Sequence, residues 1–204
     1  MSKGFLFVIS GPAGTGKGTL CKEILNRNKE IVFSVSTTTR KPRVGEVDGV
    51  NYFFIDNEKF ESMVNNKEFL EYAYVHTNYY GTPKKFVMDK IKEGEIVLLE
   101  IDVQGAMEIK KNFTEAVLVF LLPPTMEELK NRIINRGTET EEDINRRFKN
   151  AFKELDYVDN YNYFVINDKI EDAIADIESI IKAEKLKVNR HPDIKNQLIS
   201  KGGN

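Results

Sequence analysis

Nothing in this sequence marks a disulfide-stapled, zinc-held, membrane-spanning or nucleic-acid-binding chain. A single cysteine, Cys21, excludes an intrachain disulfide, while leaving the compartment open. The two histidines, His76 and His191, stand far apart with no cysteine or histidine at ligand spacing, so a zinc site is not expected. No apolar run approaches the roughly 20 residues that cross a bilayer. The apolar run from Phe5 to Ile9 is too short for a signal peptide and leads into a glycine-rich turn, so a cytoplasmic protein is the default expectation. The formal charge is −2, which provides no bulk positive field to recruit nucleic acid or an anionic membrane. An anionic ligand would have to be held by local placement of charge. No internal repeat is present.

What is there fits one compact domain. A chain of 204 residues, 41% of them hydrophobic, can bury a sizeable core without staples. Phe5 to Ile9 reads as a strand buried on both faces. Lys17 to Asn28 carries Leu20, Ile24 and Leu25 at helical spacing, and Ile31 to Val35 reads as a second strand. From Ser36 to Pro83 the texture changes to Thr, Tyr, Asn and Gly, which predicts a small, partly β insertion with a helix near Asn57 to Asn65. Then follow a helix from Lys84 to Glu93, a strand from Ile96 to Ile101, a helix from Gln104 to Asn112 and a strand from Ala116 to Leu122. Thr125, with Glu128 three residues on, forms a capping-box pattern that opens a helix running to about Arg136. A further helix to about Tyr157, a strand from Tyr163 to Ile166 and a charged amphipathic helix from Ile170 to about Val188 complete the pattern. Strands alternating with helices predict a parallel sheet covered on both faces. Ligands in such sheets bind beyond the carboxyl ends of the strands.

The strongest motif falls at such an end. Gly11-Pro12-Ala13-Gly14-Thr15-Gly16-Lys17-Gly18-Thr19 matches G-x-x-x-x-G-K between a strand and a helix. The glycines let the backbone wrap a phosphate and turn its N–H groups inward. The helix N-terminus adds partial positive charge, and Lys17 can reach the outer phosphates. The slot after the lysine, which elsewhere holds a Mg²⁺-ligating Ser or Thr, is Gly18 here. Gly-Lys-Gly-Thr resembles the loops of nucleoside monophosphate kinases, and Thr19 or bound waters would have to serve the metal.

A second group of segments lies downstream: Ser36-Thr37-Thr38-Thr39-Arg40-Lys41-Pro42-Arg43-Val44-Gly45-Glu46, Gly49-Val50-Asn51-Tyr52, Phe69-Leu70-Glu71-Tyr72-Ala73 and Asn78-Tyr79-Tyr80-Gly81-Thr82. Arg40 and Arg43 are two guanidinium forks that, with two phenols, suit a phosphate dianion. Together with the phosphate loop and Glu100-Ile101-Asp102-Val103-Gln104-Gly105, these segments resemble the guanylate kinase family from about Phe5 to about Phe152. The resemblance implies that Arg40, Arg43, Tyr52 and Tyr80 grip the phosphate of GMP. It also implies that Glu71 reads guanine, with Ser36 and Thr82 supplying hydroxyls to the base. The chemistry agrees: guanine presents N1–H and its N2 amino group on one edge, and a carboxylate accepts both. Asp102 ends an apolar strand, where contact with guanine and ordering of Mg²⁺-bound water both remain open. Glu100 lies two residues earlier on the same sheet face.

The same resemblance implies a lid. Arg132 and Arg136 share a helix face, and Arg147, beside Arg146, follows the polar stretch Gly137-Thr138-Glu139-Thr140. With Lys17 these arginines are the candidates for stabilising the migrating phosphoryl group. The implied organisation is a single P-loop α/β domain over 1–204. Its three-layer parallel-sheet core would comprise 1–35, 84–136 and 158–190. A mixed-β GMP-binding insertion would occupy 36–83 and a helical lid 137–157, with a loosely ordered tail at 191–204. The implied activity is direct in-line phosphoryl transfer from ATP, with Mg²⁺, to GMP and with it dGMP. Small-molecule nucleotides would be the partners of a monomer or small homo-oligomer. Two rivals stand: a monophosphate kinase for AMP or UMP, and a silent guanylate-kinase-like binding module. Glu71 and the Ser36 to Tyr52 segment argue against the first, and the intact Gly16-Lys17 against the second.

Overall fold

The computed structural model describes residues 3–75, 77–134 and 141–201. In chain order the elements begin β1 (Phe5–Ser10), α1 (Lys17–Arg27), β2 (Ile31–Phe33), β3 (Thr37–Thr38), β4 (Phe53–Phe54), α2 (Asn57–Asn65), β5 (Phe69–Val75) and β6 (Asn78–Pro83). They continue with α3 (Lys84–Lys92), β7 (Ile96–Glu100), α4 (Val103–Asn112), β8 (Val117–Leu122), α5 (Met126–Ile134), α6 (Glu141–Leu155), β9 (Tyr163–Ile166), α7 (Ile170–Lys185) and α8 (Ile194–Lys201).

Five strands form an all-parallel sheet in the order β2-β7-β1-β8-β9. The central strand β1 is buried along its whole length, as an unbroken apolar run requires. Its side chains divide by the two-residue period of a strand. Phe5, Phe7 and Ile9 face α1 and α7, where they meet Leu20, Ile24, Ile174, Ile177 and Ile181. Leu6 and Val8 face α3 and α4, where they meet Val87, Ala106 and Ile109. Each such side chain contributes about 1.5–3 kcal/mol of hydrophobic stabilisation. The result is the three-layer α/β fold expected from the alternation.

A second, four-stranded sheet has the order β4-β3-β6-β5 and is mixed: β3 runs parallel to β4, while β6 runs antiparallel to both β3 and β5. Helix α2 covers part of it through Phe60, which stacks on Phe69 at 4.5 Å and on Tyr79 at 5.1 Å between ring centroids. The link from the first sheet explains why β2 is shorter than expected. After Phe33 the N–H of Ser34 still bonds to Leu98 O at 3.0 Å, and the chain then leaves to supply β3.

Helix entries follow the capping residues. Thr125 Oγ1 accepts from the N–H of Glu128 at 3.0 Å, the half of the capping box that the sequence suggested for α5. Asp56 caps α2 by accepting from the N–H of Lys59 at 2.8 Å. The C-terminal stretch differs from expectation. Helix α7 stops at Lys185, and the segment read as loosely ordered carries α8. Ile194 and Leu198, four apart, support a helical turn there, yet both stay exposed. Among the described residues no helix is long and apolar enough to cross a membrane.

A buried ionic cluster ties this end of the chain to β1. Glu184, with a fully buried side chain, pairs with Lys187 at 2.7 Å and with Arg190 at 2.8 Å. It also accepts from the Tyr163 hydroxyl at 2.8 Å. The Arg190 guanidinium lies 4.0 Å from the centre of the Phe5 ring, and Arg190 O accepts from the N–H of Lys3 at 2.8 Å. Burial raises the Glu184 carboxyl, but the donors from Arg190, Lys187 and Tyr163 outweigh it and hold the group below its ordinary value of 4.5. Its stabilisation is therefore present above about pH 4.5 and lost as pH falls through the depressed value. Glu184→Ala would strand Arg190 in a buried site and is expected to cost about 3–5 kcal/mol. Urea unfolding should show this as a lowered midpoint with an unchanged slope.

Candidate active site

The loop from Gly11 to Gly16 joins the carboxyl end of β1 to α1. Gly16 is the N-cap of α1 and is left-handed, with φ 89°. A side chain there would be strained, and a Cβ would stand 2.6 Å from Asn167 Nδ2. No side chain caps α1, and its first turn holds no acidic residue. Its leading N–H groups and the positive end of its dipole are left for an anion. Thr15 Oγ1 donates to Pro12 O at 2.9 Å and braces the turn from inside. The Lys17 ammonium folds back across the loop, donating to Gly11 O at 2.7 Å and Pro12 O at 3.1 Å. Burial lowers the Lys17 pKa, while the charges of Glu100, Glu154 and Asp102 draw it back up. Thr19 is exposed on the first turn of α1.

This loop opens into a cavity of about 200 Å³ between the two sheets. Gly11, Ala13, Lys17, Glu100 and Asp102 line it from the parallel sheet, and Ser36, Tyr52, Glu71 and Tyr80 from the mixed one. Glu71 and Thr82 face each other across the β5–β6 ladder. Glu71 is only 6% exposed, and its Oε1 accepts from the Thr82 hydroxyl at 2.6 Å. Burial pushes the Glu71 carboxyl up to about 7; the Thr82 hydroxyl opposes that rise, and the charges of Asp102 and Glu108 add to it. Burial, with the charges of Glu100 and Tyr80, likewise pushes the Tyr52 phenol up to about 12, so it remains a neutral donor. Its ring meets Tyr80 edge-on at 6.0 Å. Asp102 ends the stretch after β7 and caps α4: its Oδ1 accepts from the N–H groups of Gln104 at 2.7 Å and Gly105 at 3.0 Å.

Among the described residues no arginine is part of that cavity lining. Arg40 pairs with Glu46 in a two-point fork, both contacts at 2.9 Å. Its guanidinium lies 5.4 Å from the Tyr52 ring centre. Arg43 is exposed on the same loop, and its N–H donates to Glu46 at 2.7 Å. Arg132 bonds to Glu128 at 2.9 Å and to Asn167 O at 2.9 Å, beside the outer wall of the phosphate loop. Arg147 is half-buried and Arg146 exposed on α6. Arg136, the 137–140 portion of the expected lid, and His76 lie outside the described residues.

Three residues enter the site that the sequence did not single out. Glu46 holds Arg40; it sits inside the motif, but an acid three residues from an arginine has no distinctive signature. Asn167 donates from Nδ2 to Thr15 O at 2.8 Å, clamping the loop from β9. A polar residue directly after an apolar strand was the available signal, the same one that pointed to Asp102. Glu154, in the last turn of α6, lines the cavity with Lys17. Burial pushes its carboxyl up to about 7, against the pull of Lys17 and of the Ala13 N–H, while Asp102 adds to the rise. In sequence it is one acid among many on an amphipathic helix.

Comparison with known proteins covers nearly the whole chain. The family model described as guanylate kinase matches residues 3–184. The guanylate kinase of Clostridium tetani is 57% identical over 203 residues, covering 100% of this chain and 96% of that one. That of Clostridioides difficile is 54% identical over 194 residues, covering 95% of each. The crystal structure of guanylate kinase from Anaplasma phagocytophilum superposes with a TM-score of 0.83 at 34% identity, covering 98% of this chain and 96% of that one. A phosphate loop and a buried carboxylate that open into one cavity, on a fold and sequence shared from end to end with these proteins, place the chain in the guanylate kinase family.

Proposed function

We propose that this protein transfers the γ-phosphoryl group of ATP to GMP, giving ADP and GDP. One observation carries the reading: the phosphate loop and Glu71 open into the same cavity. The loop, with the uncapped N–H groups that open α1 and with Lys17, takes the ATP phosphates. Glu71 and Thr82, with Ser36, receive the guanine edge, where a carboxylate accepts from N1–H and the N2 amino group. Adenine offers an acceptor at N1, which an ionised Glu71 repels. Tyr52 and Tyr80, with Arg40 and Arg43, take the GMP phosphate. For this Arg40 has to exchange part of its fork with Glu46 for phosphate oxygens, a substitution of one charge-assisted acceptor for another.

Bound together with ATP, Mg²⁺ would supply neutralisation of the charge on the transferred phosphoryl group. Glu100, Thr19 and the second oxygen of Asp102 offer the hard oxygen donors it prefers, directly or through water. The GMP phosphate is already a nucleophile, so transfer is direct and in line and requires no covalent intermediate and no general base. Arg132, Arg136 and Arg147 belong to the segments that would close over the nucleotides, spreading positive charge on the migrating group and excluding water.

A coupled assay across GMP, AMP, UMP and CMP tests the assignment: GMP should be turned over fastest, and AMP or UMP outpacing it would overturn the reading. In the same assay Glu71→Gln is expected to lower kcat/KM for GMP by about 10- to 100-fold, the loss of a charge-assisted pair worth about 1.5–3 kcal/mol, with the KM for ATP unchanged. Lys17→Ala should instead reduce kcat by about a hundredfold or more with any acceptor, because it removes a donor to the transferring group. The pH dependence has a definite sign. Burial raises the Glu71 carboxyl to about 7, so below that pH a proton must leave before guanine can donate to both oxygens. The KM for GMP should therefore rise about tenfold per pH unit below that value and level off above it. Glu71→Gln should remove the part of this dependence that belongs to Glu71.

A further inference from the structure

Gly105 lies in the first turn of α4, buried, with ordinary helical φ. Its backbone therefore does not require glycine. A glycine in a helix costs about 0.5–1 kcal/mol relative to alanine, so the missing side chain needs another reason. The surroundings supply one. A Cβ at this position would stand 2.7 Å from Glu71 Oε2, 3.2 Å from Glu71 Cδ and 3.4 Å from Ile101 Cδ1. The first distance is well inside van der Waals contact. The other side of the carboxylate is already occupied, because Oε1 holds the Thr82 hydroxyl at 2.6 Å. Glu71 is thus seated between a hydroxyl on β6 and the bare α-carbon of a helix whose N-terminus is fixed by Asp102.

We propose that Gly105 is a positioning residue for base selection: by lacking a side chain it leaves the space in which the Glu71 carboxylate is aimed at guanine. The inference rests on the reading of Glu71 given above and extends it to a residue with no direct contact to the base. Any side chain at 105 presses on Oε2. The backbone of α4 is held by its cap and the β5–β6 ladder by its pairing. The displacement therefore falls on the carboxylate, which must rotate off Thr82 or withdraw from the pocket.

The test compares Gly105→Ala, Glu71→Gln and the double variant, using GMP and inosine monophosphate as acceptors. Inosine monophosphate keeps N1–H but lacks the N2 amino group, so it reports on how well the carboxylate is aimed. Gly105→Ala is expected to lower kcat/KM for GMP by about tenfold or more, to shrink the preference for GMP over inosine monophosphate, and to leave the KM for ATP unchanged. Added to Glu71→Gln it should do little further harm, so the combined loss falls short of the product of the single losses. If Glu71→Gln leaves GMP use unchanged, the reading of Glu71 itself fails, and this inference with it. If Glu71→Gln impairs GMP use while Gly105→Ala keeps wild-type GMP kinetics and preference, or if the two losses multiply, only the role of Gly105 is overturned. Should Gly105→Ala not fold, Glu71→Asp combined with Gly105→Ala decides. The shorter acid frees the contested space, so recovery of a folded protein supports the inference, and failure to recover assigns Gly105 to the fold alone and overturns it.

Discussion

Distant parts of the chain brace the phosphate loop, Asn167 against the backbone at Thr15 and Gly16, Leu121 against Gly11 and Glu154 at the Ala13 N–H. Gly16 must be left-handed for α1 to start with its N–H groups turned toward an anion, and it must be bare for Asn167 to reach the loop. Asn167 comes from the end of β9, at one edge of the parallel sheet, and its own carbonyl accepts from Arg132. The central strand, the edge strand and helix α5 are therefore joined at the point where phosphate would bind. The hydrophobic layers on both faces of β1 make this possible, because they keep β1, β8 and β9 in register so that their carboxyl ends meet.

Around that loop the cavity is rich in carboxyl groups. Glu71, Glu100, Asp102 and Glu154 line it against the single ammonium of Lys17. Burial, with the charge of Asp102 adding to it, pushes both the Glu71 and the Glu154 carboxyl up to about 7. The arginines, by contrast, are engaged at the margins, Arg40 with Glu46 and Arg132 with Glu128 and Asn167. Binding two phosphorylated nucleotides calls for the opposite distribution, with cations turned inward. In the proposed reaction the nucleotides themselves would have to supply the energetic difference between the two arrangements.

The phosphate loop and the layered fold were legible before any coordinates. A loop of contiguous residues carries its own signature, and the apolar runs at Phe5 to Ile9, Ile96 to Ile101 and Ala116 to Leu122 have no other stable use than buried parallel strands. The expected second strand ran two residues too far because Ser34 and Val35 look like strand residues locally, and only the departure toward the mixed sheet ends β2. The candidate readers of the base were visible through a family pattern. Their supports were not: Glu46, Glu154 and Gly105 carry nothing in their local sequence that separates them from ordinary turn, helix or surface residues, and Asn167 carries only its place directly after an apolar strand.

The amino-acid order alone determined the strand and helix alternation and the anion loop, because each of these is written in neighbouring residues or in a short period, while the residues expected to read guanine were implied by a family resemblance. Tertiary structure alone decided which side chains hold those groups in place: Asn167 against Thr15, Arg40 against Glu46, and Glu71 between Thr82 and the bare α-carbon of Gly105. Asn167 reaches Thr15 across 152 positions and Gly105 meets Glu71 from a different element. Contacts of that kind arise only when packed layers bring remote segments to the same edge of a sheet, so no local pattern in the chain can announce them.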